Sequence, residues 1–238
     1  MGKGRKRVSR WQQIRHGATV VWRFRYHLLC AAVALGLWNT AVIKPFRVFV
    51  VMVHEVNHAA AALATGGEVI EMRTAWDESG HTISSGGFVP LICSAGYLGS
   101  ALLGALLIWS GALPQLQRVS LLVVGATTMG MTMSFTPVGE KDFYLGIFGG
   151  LALMAMAMHS SRTGEAGAVW LGVMLCIYSL FDFLTDLMQF AEFTDAGILA
   201  RHWQMPWLAY PIAITWSIFS IWVMIRAMSA LVRHEKSN

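Results

Sequence analysis

The sequence predicts an all-α polytopic membrane protein of six or seven transmembrane helices, with a short β-hairpin inserted after the second. Three observations carry this. Of 238 residues, 55% are hydrophobic and only 13% are charged, about half the share that a soluble domain uses to face water. Seven apolar segments approach the roughly 20 residues that a spanning helix needs. A single sizeable polar insertion, residues 65–87, interrupts them. The same composition excludes disorder, collagen-like repeats and secreted disulfide scaffolds; Cys30, Cys93 and Cys176 all sit inside apolar stretches, as buried thiols do.

The elements follow in order. Residues 1–25 form a basic cytoplasmic segment: eight of the eighteen Lys and Arg lie there (Lys3, Arg5, Lys6, Arg7, Arg10, Arg15, Arg23, Arg25), with no acidic residue among them. Placed just before an apolar run, such a cluster favours anionic lipid and a cytoplasmic N-terminus, and the net charge of +5 does not imply a nucleic-acid partner. A cleaved signal peptide is the competing reading, but no small-residue cleavage site ends the first apolar run. A single transmembrane domain then occupies 26–232, and 233–238 is a short tail. Its segments run from Tyr26 to Ile43, Phe46 to Ala64, Phe88 to Leu113, Val119 to Phe135, Phe143 to His159, Gly167 to Met188 and Trp207 to Val232. Seven spans would put the C-terminus outside, where Arg226, Arg233 and Lys236 gather; six would reconcile them, with one segment dipping in and returning. In the insertion, two partly alternating stretches flank Asp77-Glu78-Ser79-Gly80 and read as a hairpin lying on the membrane surface beside the second span.

The chemistry concentrates in that second span, where His54, Glu55, Val56, Asn57 and His58 match HExxH. Positions i and i+4 share a helical face, so both imidazoles can reach one metal ion, while Glu55 projects about 100° away, placed to take a proton from a water as general base. With eight His and eight Glu in the chain, the match would arise by chance in roughly one shuffled sequence per hundred. Ionisable groups inside a membrane helix cost about 2.5 to 3.5 kcal/mol each. A metal offsets that cost better than a polar patch bonded to neighbouring helices. Zinc, one ion, is the expected choice, since two imidazoles and a carboxylate leave a fourth position for water.

The third ligand must come from another span. The acidic residues in apolar surroundings are Asp182 and Asp186 in the sixth segment and Asp195 just beyond it. Asp182, near mid-segment, is the leading candidate; Asp186, one turn on, is the alternative, and an interfacial pair of carboxylates is the bland reading of both. Glu140, Lys141 and Asp142 read as a solvated turn. The isolated histidines, among them His81, His159 and His202, receive no catalytic role. Gly96, Ser100 and Gly104 recur every fourth residue in the third segment, a smooth strip for close helix packing.

Together these residues resemble the site-2-protease family of intramembrane zinc metalloproteases, in particular its small bacterial and plant subgroup without a PDZ domain. The likeness rests on His54 to His58 in an early span, Thr65-Gly66-Gly67 directly after it, the hairpin, Ala95-Gly96-Tyr97-Leu98-Gly99-Ser100 opening the next span, and a later aspartate. It covers roughly residues 46 to 200. It implies a metalloprotease-like domain over 26–232 in a bacterial cell membrane, with His54, His58 and Asp182 as metal ligands, Glu55 as base and a membrane-spanning protein as substrate. One departure stands out: many members carry the aspartate in an Asn-Pro…Asp-Gly context, whereas Phe183 follows Asp182 here and no such proline precedes it. The rival readings are a non-proteolytic scaffold that keeps the metal site and an ion transporter, although the repeat symmetry common in transporters is absent from the sequence.

Overall fold

The structure is a computed structural model that describes residues 24–111, 113–188 and 194–237, and it is 78% helical. Each of the seven apolar segments contributes a helix, the first only as far as Gly36: α1 (Arg25–Gly36), α2 (Lys44–Ala64), α3 (Val89–Ser110), α4 (Pro114–Phe135), α5 (Lys141–His159), α6 (Ser161–Met188) and α8 (Ala209–Ser237). A short helix, α7 (Asp195–His202), and a 3-10 turn (Pro206–Leu208) join α6 to α8. Pro45, Pro90 and Pro114 stand in the first turns of α2, α3 and α4, where the missing N–H has no intrahelical partner to lose. The basic segment, apart from Phe24 and Arg25, lies outside the described residues.

Among the described residues, five helices are long and apolar enough to cross a membrane: Lys44–Ala64, Val89–Ser110, Lys141–His159, Ser161–Phe181 and Pro206–Leu231. Two of the seven apolar segments fall outside that count. Helix α1 has 12 residues and rises only about 18 Å, well short of a ~30 Å hydrocarbon core. The chain then turns at Leu37–Ile43, where Trp38 stacks on Phe181 with ring centroids 4.7 Å apart. Helix α4 has 22 residues, but it carries Gln115, Gln117 and Arg118 early and Thr127, Thr128, Thr132 and Ser134 later. Thr128 and Thr132 are fully enclosed, as membrane helices do with hydroxyls that pack against neighbours.

Glycines set the closest helix approaches. A Cβ on Gly125 of α4 would lie 2.7 Å from the Gly150 carbonyl of α5, and one on Gly104 of α3 would lie 3.0 Å from the Gly172 carbonyl of α6. Around these contacts Val50, Val53, Leu107, Leu121, Leu171 and Met174 form the main core.

The insertion is the predicted hairpin, β1 (Glu68–Thr74) paired antiparallel with β2 (Gly80–Ser85). Its base closes where Gly66 and Gly87 adopt positive φ (+80° and +75°) and the Phe88 N–H donates to Thr65 Oγ1 at 3.0 Å. Three contacts fix its position beside α2. Gly67 N–H donates to the Ala62 carbonyl, Thr82 bonds Glu55, and Glu78 in the turn pairs with Arg47. Those α2 partners span fifteen residues, a rise of about 22 Å. The hairpin therefore stands lengthwise against α2, with the inward side chains Met72 and Thr74 buried.

Asp142 corrects an expectation. It is not part of a solvated turn: only 4% exposed, it accepts from Arg73 Nε at 3.0 Å and from the Thr74 N–H at 3.1 Å. Its partners come from β1, some seventy residues earlier, a pairing that no local pattern could reveal. Glu140 and Glu71 also approach Arg73, at 3.5 and 3.4 Å.

Candidate metal centre

His54, Glu55 and His58 lie midway along α2, each less than 10% exposed. The helix places the two imidazoles one turn apart, and their Nε2 atoms are 3.0 Å from each other. Asp195 completes the group: its Oδ2 is 3.2 Å from His54 Nε2 and 3.0 Å from His58 Nε2. Among the described residues these are the three side chains whose donor atoms cluster closely enough to hold an ion. Burial alone would raise the Asp195 carboxyl, but the two imidazoles beside it hold it well below the usual carboxylate range.

Each of the three side chains is oriented by its own support. The Nδ1–H of His58 donates to the Ile92 carbonyl at 2.6 Å, which fixes the tautomer and turns Nε2 to the centre. The ring of His54 stands edge to face against Tyr97 (5.2 Å) and lies 6.4 Å from Tyr178. Asp195 occupies the first turn of α7 because Thr194 caps that helix, its hydroxyl accepting from the Gly197 N–H at 3.2 Å. Ala196 and Leu199 then pack α7 onto Cys93, Tyr97 and Trp216.

The donor set fits zinc. Ligand atoms about 2.1 Å from a tetrahedral ion lie about 3.4 Å apart, and the three separations of 3.0 to 3.2 Å come close to one face of that tetrahedron. The space beside them is kept by Gly96, since a Cβ there would collide with the Nε2 atoms of both histidines. The small-residue strip of α3 thus has divided work. Gly96 faces the centre, Ser100 accepts from Asn57 Nδ2 at 3.3 Å, and Gly104 packs on α6.

Glu55 turns from the histidines towards the hairpin. Its Oε2 accepts from the Thr82 hydroxyl at 2.7 Å, and its Oε1 lies against Gly80. The side chains of Asp182 and Asp186 lie outside the described residues, although α6 does reach the centre at Tyr178, one turn before Asp182. Asp195 was visible in the sequence only as a carboxylate beyond the span. The signal that could have promoted it is Thr194, a helix-capping residue just before it, which starts a new helix there.

The fold and centre define a polytopic membrane protein with an HExxH helix enclosed in its bundle. A family model described as Peptidase M50B-like matches residues 27–227, and the chain belongs to that family, the M50 or site-2-protease peptidases of the membrane. No curated protein and no solved structure matches the chain.

Proposed function

We propose that the protein is an intramembrane zinc metalloprotease that hydrolyses peptide bonds of membrane-spanning proteins. The observation that carries this is the convergence of His54 Nε2, His58 Nε2 and Asp195 Oδ2, with Glu55 on the same helix. These three residues would hold one zinc ion, with Asp195 in the role that the family resemblance gave to Asp182. Zinc, when bound, supplies Lewis acidity that brings the pKa of a water towards about 7 and polarises the scissile carbonyl. Glu55 takes the proton of the attacking water and delivers it to the leaving amine. Burial of the whole group excludes bulk water, so each of these interactions acts at low dielectric. A substrate helix must unwind before its carbonyls can react, and the exposed strand β2 offers an edge on which the unwound segment can pair. The basic segment before α1 keeps the N-terminus in the cytoplasm.

The test compares the wild-type chain with Glu55→Gln, both purified in detergent and loaded with zinc, using unfolded casein as reporter polypeptide. Loss of a general base predicts a fall of about 10²- to 10⁴-fold in cleavage, with zinc content unchanged by atomic absorption. Full cleavage by Glu55→Gln would overturn the mechanism, and an absence of bound zinc in the wild type would overturn the metal assignment.

A further inference from the structure

Resting on the reading of Glu55 as general base, we propose that Thr82 is its positioning residue, and that the hairpin is the device that sets the base. The contact is direct. The Thr82 hydroxyl donates its one proton to Glu55 Oε2 at 2.7 Å, with the Glu55 backbone carbonyl, 3.1 Å away, as the longer and secondary acceptor. The second carboxylate oxygen meets the same strand. A Cβ on Gly80 would lie 2.5 Å from Oε1 and 3.0 Å from Cδ. Residues 80 and 82 of a strand share a face. One face of β2 therefore touches both oxygens, holding one through a hydroxyl and making room for the other through a missing side chain.

What fixes that face in depth is the partner strand. Met72 pairs with Thr82 and Thr74 pairs with Gly80. Both β1 residues are tied to the start of α5 and the connection before it: the Thr136 hydroxyl donates to the Met72 carbonyl at 3.0 Å, and the Thr74 N–H donates to Asp142 Oδ2, in the first turn of α5, at 3.1 Å. A slip of one residue would turn Thr82 to the opposite face. The clamp at Thr136 and Asp142 thus keeps the hydroxyl opposite Glu55. In the reaction, Thr82 keeps its hydrogen bond to Oε2 while the proton taken from water resides on Oε1, so the base stays in one orientation through both proton transfers.

The experiment uses the full chain in detergent with Thr82→Val, which removes the hydroxyl at nearly constant shape, and Thr82→Ser, which retains it. Thr82→Val is expected to lower kcat for casein about tenfold, the size of one hydrogen bond to a charged group, with KM changed less than about twofold and zinc content unchanged. Thr82→Ser restores kcat. A second readout needs no turnover: the infrared carboxylate band of Glu55, isolated as wild type minus Glu55→Gln, shifts in Thr82→Val and returns in Thr82→Ser. Wild-type kcat or an unshifted band in Thr82→Val would overturn the proposal, as would a change in KM alone or failure of serine to rescue. If Glu55→Gln is inactive while Thr82→Val is fully active, the base reading stands and only the positioning role falls. If Glu55→Gln is active, both fall.

Discussion

Helix α2 buries 67% of its most apolar stretch inside the bundle, whereas α8 buries 28% of its own. The order is the reverse of their apolarity, since α8 is the more hydrophobic of the two. In water that would be a contradiction. In lipid it is expected, because acyl chains solvate Ile214, Ile218, Trp222 and Ile225 of α8 as well as protein would, and they remain exposed. Helix α2 carries His54, Glu55 and His58, which lipid cannot solvate, so it must be surrounded by α3, α6 and the hairpin. Burial here follows the need to enclose polar chemistry, and hydropathy reports only which helices may be left to the bilayer.

The comparison can be tested by substitution, from the largest effect downwards. Asp195→Asn is expected to remove bound zinc and with it casein cleavage, while Asp182→Asn and Asp186→Asn retain the metal; atomic absorption on the three variants decides which carboxylate serves. Gly96→Ala places a methyl against both Nε2 atoms, and a competitive chelator titration should show zinc affinity lowered at least tenfold, the lower end of the range for disturbing ligand support. Asp142→Ala leaves the Thr74 N–H without its acceptor and should lower stability by about 1 to 3 kcal/mol in detergent unfolding. Ile218→Ala on the lipid face of α8 should change stability by less than about 0.5 kcal/mol. A loss at Ile218 as large as that at Asp142 would mean that α8 is packed against protein, and the contrast between the two helices would fail.

Much of this was legible because it is local. HExxH needs only a helical repeat to be read, the Gly and Asp-Glu-Ser-Gly signals mark the hairpin, and each apolar run declares its helix. What was not legible depends on distance along the chain. Asp195 lies 141 residues from His54, and only the packing of α7 between α3 and α8 brings it there. Asp142 looked like part of a solvated turn because its partner Arg73 belongs to another element. The direction in which the hairpin runs along α2 is not local either: its strands alternate as surface strands do, and only Thr82 and Glu78 meeting α2 show which way it stands. Gly96 could be read as a packing residue but not as the wall of the candidate metal centre.

The upright hairpin also bears on water supply. A two-stranded sheet has outer edges whose N–H and C=O groups find no partner within the sheet, and in hydrocarbon each such group costs several kcal/mol. The hairpin stands beside the stretch of α2 that carries Glu55 and bears Glu68, Glu71, Arg73, Asp77, Glu78 and His81, so its outer face calls for water while Glu55 behind it stays buried. The proposed hydrolysis would consume one water for every bond broken. The element in contact with Glu55 is thus also the one whose unpaired backbone would draw water to the bundle.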